Sequence, residues 1–329
     1  MTYNYCTLFN SRYVTRGLAM YESLAKHSKE FHLYIFAFDN RCYALLKKLN
    51  LENATIISLQ EFEDEALLNI KASRSIGEYC WTCKASAIKH VIKTYQLTHC
   101  TYLDSDLYFF SDPNVLIGEI GDKSVSITEH RYTPEYNQTA TSGKYCAQFL
   151  RFKNDDDGMK VLNWWRNACI DWCYAHIEEG KFGDQKYLDN WLNQFEGVHE
   201  VKNLGAGVAP WNIQQYKLFN NNDNEIFGIE LATKTHFKVI FYHFHYLKFL
   251  ENNKIELVCN YKLTKQAIEI IYKPYVIHLH NIKIAISHID ADYDYHGTEK
   301  RLKTWKNKLK ILKNRLTGRH NIFNKKDFI

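Results

Sequence analysis

The spacing of apolar residues switches between two periods along the first part of the chain. Short runs rich in apolar residues predict strands at Tyr3–Phe9, Phe31–Phe38 and Ala54–Ser58. Between these runs, apolar residues recur every three or four positions, which predicts helices over Val14–His27 and Tyr43–Leu49. The order strand, helix, strand, helix, strand is typical of the start of a doubly wound sheet.

Similar patterns predict the elements that follow, as far as residue 246. An acidic segment near 61–70 and residues Ala85–Tyr95 are predicted to be helical, with a turn at Trp81–Thr82 before the second helix. Later helices are predicted over Gly158–Glu178 and from Gln185 onward. The later strands are predicted at Val125–Thr128, Lys144–Phe152 and Val239–Tyr246.

Two acidic residues, Asp104 and Asp106, interrupt an apolar run at residues 102–110. A buried central strand has no place for unpaired carboxylates, so the pair is predicted where the chain leaves the sheet. Ligands bind at the carboxyl edge of such sheets, and two adjacent carboxylates repel each other unless a cation lies between them. The pair therefore predicts a site for a hard divalent metal ion, while a chance Asp-x-Asp is the alternative.

Length and composition place the chain among globular proteins. Of its 329 residues, 46% are hydrophobic and 15% aromatic, which supplies ample core material and excludes a disordered chain. The sequence shows neither a secretory signal nor a run of about 18 apolar residues that would span a membrane. We therefore expect one large α/β domain with a trailing segment, located in the cytoplasm.

Cysteines and nucleotide-binding motifs narrow the classes of function. The nine cysteines are an odd number, so no disulfide framework is expected. Cys80 and Cys83 have the spacing of a redox or zinc half-site, but no matching second pair follows, and a buried structural role is preferred. No G-x-G-x-x-G follows the first strand and the chain has no P-loop motif, which excludes the usual dinucleotide and P-loop proteins.

Four polar segments follow one another along the chain. These are Asp104–Asp106, Asp184–Gln185, the glycine-broken loop Gly205–Asn212, and Tyr242–Lys248. In this order and spacing, residues 1–250 resemble the GT-A-fold nucleotide-sugar glycosyltransferases. They are most like the glycosyltransferase family 8 type and bacterial cell-surface polysaccharide enzymes. The resemblance implies a Rossmann-like, doubly wound mixed sheet flanked by helices, with a catalytic domain over residues 1–255 and a basic helical segment over 256–329.

The resemblance also implies a metal site on the donor diphosphate. Asp104 and Asp106 would hold Mn²⁺ or Mg²⁺, His243 would be a third ligand, and Lys248 would contact the diphosphate. In the family, the metal-binding histidine opens a short motif that also contains Gly, Pro and Trp. None of these three residues stands at the corresponding positions here. His245 lies on the same face of the predicted strand and is the alternative ligand, although His243 is preferred.

Further residues are expected around the donor sugar and the nucleoside. Asp184 and Gln185 are the expected catalytic pair against the sugar, whereas a helix cap is the alternative role for Asp184. His130 and its neighbours Glu129 and Arg131 could face the donor or the acceptor, and Trp211 could offer a stacking face to a sugar ring. The other residues expected to contact the donor are Thr7, Phe9, Arg12, Lys84, Ser105 and Gly207.

The reaction implied by the resemblance is transfer of a sugar from a nucleotide donor, expected to be UDP-linked, with retention of configuration. The acceptor would be an oligosaccharide, a polysaccharide or a lipid-linked glycan at the cell surface. A phosphohydrolase that uses an Asp-x-Asp nucleophile is one alternative, although Tyr108 stands where that chemistry wants Thr or Val. A non-catalytic glycan-binding or membrane-binding protein on the same fold is the other.

The net charge of +5 is unevenly distributed, because Lys and Arg concentrate in the tail of the chain after Glu299. Residues Thr298–Asn321 are predicted to form a basic helix. Its apolar stripe is Leu302, Trp305, Leu309, Leu312 and Leu316. The stripe fits a helix on an anionic membrane surface, and it fits equally a helix packed with one side on the domain. Nucleic acid is not expected as a partner, because no aromatic platform accompanies the charge.

Overall fold

A computed structural model describes residues 2–300 and 304–329 of the chain, and shows a mixed α/β fold. Its strands are β1 (Tyr3–Phe9), β2 (Phe31–Ala37), β3 (Ala54–Ser58), β4 (His99–Leu103), β5 (Leu107–Phe109), β6 (Val125–Glu129), β7 (Tyr145–Lys153), β8 (Val198–Glu200), β9 (Tyr216–Asn220), β10 (Ile226–Glu230), β11 (His236–Lys238), β12 (Phe241–His243), β13 (Lys248–Leu250), β14 (Lys254–Glu256) and β15 (Ile322–Asn324). Its helices are α1 (Val14–His27), α2 (Asn40–Leu49), α3 (Leu59–Phe62), α4 (Glu65–Lys71), α5 (Ile76–Thr94), α6 (Asn114–Ile120), α7 (Thr139–Ser142), α8 (Asp156–Asp171), α9 (Trp191–Gln194), α10 (Lys265–Ala267), α11 (Lys273–Ser287) and α12 (Trp305–Leu316).

A seven-stranded sheet in the order β3-β2-β1-β4-β7-β6-β8 organises the molecule. Its neighbours pair in parallel except around β7, which runs antiparallel to both β4 and β6. The strand order reverses between β1 and β4, which is where doubly wound sheets bind ligands. Because Cys6 pairs with Tyr102 across these two strands, the residues that follow Leu103 lie beside the end of β1.

Several helices begin where the sequence carries a capping residue. Asp39 accepts a hydrogen bond from the Cys42 amide at the start of α2, and Asp155 accepts one from the Gly158 amide at the start of α8. Ser75 and Glu78 form a capping box at the start of α5. These bonds satisfy amide groups that would otherwise lack a partner in the first helical turn.

The predicted α/β class, with a doubly wound mixed sheet flanked by helices, is confirmed. The predicted bounds of β1, α1 and β3 are also confirmed. Strand β2 ends one residue earlier than predicted, and α2 begins three residues earlier because Asp39 caps it.

Three predictions were wrong in the extent of an element. The expected turn at Trp81–Thr82 lies inside α5, because the capping box at Ser75 starts that helix nine residues earlier than predicted. Helix α8 ends at Asp171 instead of Glu178. The predicted strand Val239–Tyr246 is reduced to β12, whose pairing with β5 is continued for one residue by the hydrogen bond from the Phe244 amide to the carbonyl of Asp106.

The apolar run at residues 102–110 forms two strands in place of one. Strand β4 ends at Leu103, a turn follows, and β5 leaves the main sheet to pair antiparallel with β12. This pairing places Leu107 opposite His243. The turn between β4 and β5 therefore lies next to the end of β12.

Buried apolar side chains form two clusters, and one of them joins the C-terminal segment to the first strand and helix. Tyr5 of β1 and Leu18 of α1 belong to this cluster together with Tyr275, Tyr295 and Phe328. Residues on both sides of the predicted division at 255 thus share one core, and the division itself stays a prediction. Among the described residues, no helix combines the length and apolar character needed to cross a membrane.

Candidate active site

A tight turn, Asp104–Ser105–Asp106, connects β4 to β5 at the carboxyl edge of the main sheet. The Asp104 amide donates to the carbonyl of Gln148 at 2.9 Å, and the Phe244 amide donates to the carbonyl of Asp106 at 2.9 Å. The turn is therefore fixed from one side by β7 and from the other by the segment after β12.

Three side chains from two distant parts of the chain meet at this turn. His243, the last residue of β12, places its Nε2 atom 3.1 Å from an Asp106 carboxylate oxygen and 3.9 Å from an Asp104 carboxylate oxygen. One potential ligand atom from each of the three residues lies within 4.8 Å of the other two. The structure thus brings together the three residues expected to hold the metal ion.

Charge couples His243 to Asp106. Burial lowers the pKa of His243, but the Asp106 carboxylate and the Cys146 thiol together raise it by more, so the pKa of the imidazole lies well above its usual value. Burial likewise raises the pKa of Asp106, and His243, His245 and Arg16 together lower it by more, so this carboxyl stays ionised. The His243 imidazolium is therefore the counter-ion of Asp106, and a metal ion bound here would take the place of its proton.

The spacing of these donor atoms fits one divalent ion. Two ligands at right angles on an octahedral ion with bonds of about 2.1 Å are about 3.0 Å apart. The His243 contact with Asp106 has this length, and the contact with Asp104 is somewhat longer. A set of two carboxylates and one imidazole suits Mn²⁺ and also accommodates Mg²⁺.

His245, the alternative ligand, lies beside this group but outside the three-residue cluster. Its ring centre is 5.6 Å from that of His243, and burial together with the His243 charge lowers its pKa to about 4. Trp211 packs edge-on against both imidazoles, at 5.4 and 5.5 Å, and donates its indole N–H to the carbonyl of His130. The buried indole thus holds both histidine rings in place.

Lys84 connects the Asp104 turn to Asp184. Its ammonium lies 2.9 Å from an Asp104 carboxylate oxygen, 3.2 Å from an Asp184 carboxylate oxygen and 3.1 Å from the carbonyl of Ala147. Burial lowers the pKa of Lys84, but Asp104 and Asp184 raise it by more, so the amine stays charged. Lys84 reaches this position from the middle of α5, and not from a turn as predicted.

Asp184 and Gln185 precede a short 3₁₀ helix that begins at Lys186. Gln185 occupies the capping position without a side-chain cap, and Asp184 pairs with Lys84, so a capping role for Asp184 is wrong. The Gln185 side chain donates to the carbonyl of Ser142 at 2.8 Å. Gly183, just before, has φ +52° and lies against the ring of Trp81, a backbone conformation that favours glycine.

A cavity of about 560 Å³ opens at this edge of the sheet. Its volume is in the range of small-molecule sites. Eleven of the residues predicted to contact metal, donor or sugar line it. They are Phe9, Lys84, Asp104, Ser105, Asp106, Asp184, Gln185, Trp211, His243, His245 and Lys248.

Three other predicted donor contacts lie outside the cavity lining. Thr7 is fully buried within β1, between β2 and β4. Arg12 turns away and donates to the carbonyl of Gly297. Gly207 packs under Gln148, whose side-chain nitrogen would lie 2.8 Å from an added Cβ, so this glycine allows close packing inside the protein. Of the three residues expected at the end of β6, only His130 lines the cavity.

The sequence did not single out several residues that line the cavity. Glu299 is one, and its carboxylate lies 2.8 Å from the ammonium of Lys248. Its position as the acid that opens a basic segment was the only signal in the sequence. The others include Asn10, Gln138 and Tyr261, which lie in loops that carry no motif.

Fold and site together define an α/β protein with a carboxylate and imidazole cluster at the switch point of its sheet. No family model matches the chain. The uncharacterized protein YfnD of Bacillus subtilis (strain 168) is 32% identical over 283 residues, which cover 84% of this chain and 89% of YfnD. YfnF of the same organism is 28% identical over 302 residues, which cover 89% of this chain and 97% of YfnF. The chain belongs to the family of YfnD.

Among solved structures, similar folds occur at low sequence identity. The galactosyltransferase LgtC, solved with donor and acceptor sugar analogues, has a TM-score of 0.48 at 14% identity, over 85% of this chain and 96% of LgtC. Mouse xyloside xylosyltransferase 1 has a TM-score of 0.44 at 14% identity, over 74% of this chain and 97% of that one. The glycosyltransferase GlyE of Streptococcus pneumoniae TIGR4 has a TM-score of 0.40 at 14% identity, and the match spans 61% of this chain but only 46% of the GlyE chain.

Proposed function

We propose that this protein is a metal-dependent glycosyltransferase that moves a sugar from a nucleoside diphosphate donor, expected to be UDP-linked, to a glycan or lipid-linked acceptor. One observation carries the proposal: Asp104, Asp106 and His243 converge on the wall of a cavity at the switch point of the sheet. The resemblance of the polar segments to family 8 type glycosyltransferases agrees with this arrangement.

The charges that line the cavity explain why a cation is needed. Its lining contains four carboxylates, those of Asp104, Asp106, Asp184 and Glu299, against the two ammonium groups of Lys84 and Lys248 and the imidazolium of His243. Both ammonium groups already contact carboxylates. An anionic diphosphate would be repelled from this surface unless a divalent ion were bound with it.

Asp104, Asp106 and His243 would hold that ion. When bound, it would act as a Lewis acid on the phosphate oxygens and neutralise the charge that develops on the departing diphosphate. The hydrogen bonds that fix the turn from both sides keep the two carboxylates in position before any ligand arrives.

Two side chains of the protein, Lys248 and Asp184, would act on the donor alongside the metal ion. The Lys248 ammonium lies on the cavity wall and can move from Glu299 to a phosphate oxygen, because its present ion pair is partly exposed to solvent. Asp184 is held by Lys84 with its carboxylate at the cavity, where it can bind a sugar hydroxyl or stabilise positive charge at the anomeric carbon.

Aromatic and polar side chains in the same cavity are suited to bind the acceptor sugar. Tyr132 stacks on His130 with ring centres 4.6 Å apart, and Tyr261 accepts a hydrogen bond from the Gln138 amide at 2.7 Å. Tyr246 also lines the cavity and is half exposed. Flat rings combined with hydroxyl and amide groups are the side chains that bind sugar rings in water.

A nucleotide panel followed by a transfer assay tests the proposal. Thermal shifts with UDP, GDP and CMP, each with and without Mn²⁺, should show stabilisation by UDP that requires the metal. UDP release from a panel of UDP-sugars should then depend on Mn²⁺ and fall by about a hundredfold or more in Asp184→Asn, whose UDP binding should persist. Asp171→Asn, a change at an exposed position at the end of α8, is the matched control.

Two results would contradict the proposal. One is that none of the nucleoside diphosphates tested gives a thermal shift that depends on the metal. The other is hydrolysis of simple phosphate esters at a rate that the Asp104→Asn change abolishes, which would support the phosphohydrolase reading instead.

A further inference from the structure

The basic helix predicted over Thr298–Asn321 is shorter in the structure, where α12 covers Trp305–Leu316, and Leu302 of the predicted stripe lies outside the described residues. Helix α12 presents the remaining apolar stripe to its surroundings. Consecutive residues of an α-helix are rotated by about 100°, so Trp305, Leu309, Leu312 and Leu316 fall within an arc of about 60°. Their exposed fractions are 66%, 55%, 54% and 80%. Apolar residues at four-, three- and four-residue spacing on a helix are normally buried, and these four are not.

The opposite side of the helix is the one that faces the protein. Asn314 is buried and Ile311 is half-buried, and both lie well away from the stripe around the helix axis. The helix therefore packs through a side that includes a polar residue and leaves its most apolar side outward. A helix stabilised only by packing on its own domain would show the reverse arrangement.

Basic residues border the stripe. Lys313 and Arg315 are exposed and lie about 70° to 90° to either side of its centre. The sequence of the helix, WKNKLKILKNRL, contains no acidic residue. An apolar strip bordered by Lys and Arg matches the interface of an anionic bilayer, where the strip enters the acyl region and the cations meet the headgroups.

The segments before and after α12 contact residues at or near the cavity. Before the helix, Glu299 pairs with Lys248 on the cavity wall. After it, Arg319 pairs with Glu135, and the Asn321 amide donates to the carbonyl of Tyr261 at 2.8 Å. Because Glu299 and Tyr261 both line the cavity, the segments that flank α12 on either side contact the cavity wall.

We propose that the exposed stripe of α12 docks on an anionic lipid bilayer and holds the cavity rim at the membrane surface. If the proposed glycosyl transfer holds, a cavity rim at the membrane means that the acceptor is a lipid-linked glycan presented at that surface. This part of the inference rests on the proposed function. The docking step itself depends only on the stripe and its basic border.

Vesicle co-sedimentation of the full chain tests the docking, with no donor or metal present. The protein should bind phosphatidylcholine vesicles that contain phosphatidylglycerol about tenfold or more tightly than vesicles of phosphatidylcholine alone, and added salt should weaken the binding. Leu312→Glu/Leu316→Glu should remove the binding, and Lys313→Glu/Arg315→Glu should reduce it. Leu68→Glu on α4 is the matched control, because Leu68 is 53% exposed on another surface, and it should bind as the wild type does.

Three outcomes would overturn the docking. Failure of the wild type to bind anionic vesicles does so, and so does equal binding by the Leu312→Glu/Leu316→Glu variant with an unchanged melting temperature. Sedimentation velocity that shows a dimer lost in the same variant would assign the stripe to a second copy of this chain. A protein that binds vesicles but releases no nucleotide from any donor would refute the proposed function and leave the docking intact.

Discussion

Lys84 and Asp184 form a buried ion pair of 3.2 Å, although one lies in the middle of α5 and the other in a loop a hundred residues later. The same ammonium contacts Asp104 at 2.9 Å. One lysine therefore ties the carboxylate expected to act on the sugar to the turn expected to hold the metal. This connection gives the site its internal geometry.

Removal of the ammonium should destabilise the fold through the charge left behind. Lys84→Met leaves the buried Asp184 carboxylate without its partner, and we expect the free energy of unfolding to fall by roughly 3 kcal/mol. The double change Lys84→Met/Asp184→Asn should recover much of this loss, because it also removes the buried charge. Urea unfolding of the wild type, both single variants and the double variant measures the coupling. If the losses of the two single variants add up to that of the double variant within about 0.5 kcal/mol, Lys84 and Asp184 do not stabilise each other.

Gly17 controls the position of Phe9 at the cavity. A Cβ atom at Gly17 would lie 2.4 Å from the Phe9 ring, so Gly17→Ala must push the ring away. We expect a loss of roughly 1–3 kcal/mol in stability together with weaker nucleotide binding. Gly118→Ala on α6 is the matched helical control, because nothing lies within 4 Å of its added Cβ. Unfolding and UDP titration of both variants test the idea, and unchanged UDP affinity in Gly17→Ala would count against a nucleoside site at Phe9.

Glu299 should compete with the donor for Lys248. The Glu299→Gln change frees the ammonium, and we expect UDP to bind roughly threefold more tightly, since a partly exposed ion pair contributes under about 1 kcal/mol. Lys248→Met should weaken UDP binding about tenfold. Glu269→Gln, which breaks the exposed Lys273–Glu269 pair on another surface, should leave UDP affinity unchanged. Isothermal titration compares the three variants, and weaker binding by Glu299→Gln would show instead that this carboxylate binds the donor.

Buried histidines should make the fold sensitive to acid. Burial lowers the pKa of His99 to about 4 and that of His130 to about 3, whereas an unfolded histidine titrates near 6.5. Below about pH 6.5 the unfolded chain takes up protons that the folded chain does not, so stability is complete above that pH and falls as the pH decreases. Each histidine should lose up to about 2 kcal/mol of stabilisation between pH 6.5 and pH 5.

The variant His99→Gln isolates this effect. Its stability should fall less than that of the wild type between pH 7 and pH 5, while His288→Gln, at an exposed position, should follow the wild type. Urea unfolding at the two pH values measures the difference. An equal loss in His99→Gln and in the wild type would show that the neutral, buried form of His99 does not carry the effect.

Local patterns predicted the first half of the sheet well, because strand and helix periods there coincide with strong start signals. Asp39 caps α2, and the apolar run of β1 ends at a polar segment. The early start of α5 was also present in the sequence as the capping box Ser75–Glu78. The split of residues 102–110 into two strands was not visible, because it depends on the pairing of β5 with β12, more than a hundred residues later.

The site was predictable where a motif marks it and unpredictable where only tertiary packing forms it. Asp104 and Asp106 stood out as acidic residues that interrupt an apolar run, His243 was named from the resemblance to a family motif, and the structure brings the three together. The partners Lys84–Asp184 and Lys248–Glu299 carry no local signal, since each pair joins elements far apart in sequence. Thr7 and Gly207 were named from their place in a motif, but packing turns both into the interior.

The central claim is that Asp104, Asp106 and His243 hold a divalent ion on a nucleoside diphosphate. Isothermal titration of UDP into the wild type, Asp106→Asn and the exposed control Asp171→Asn, with Mn²⁺ and with EDTA, tests it most directly. The account predicts UDP binding that EDTA abolishes, that falls about tenfold or more in Asp106→Asn and that persists in the control. UDP binding of equal strength with and without Mn²⁺, or an Asp106→Asn variant that binds as the wild type does, would contradict it.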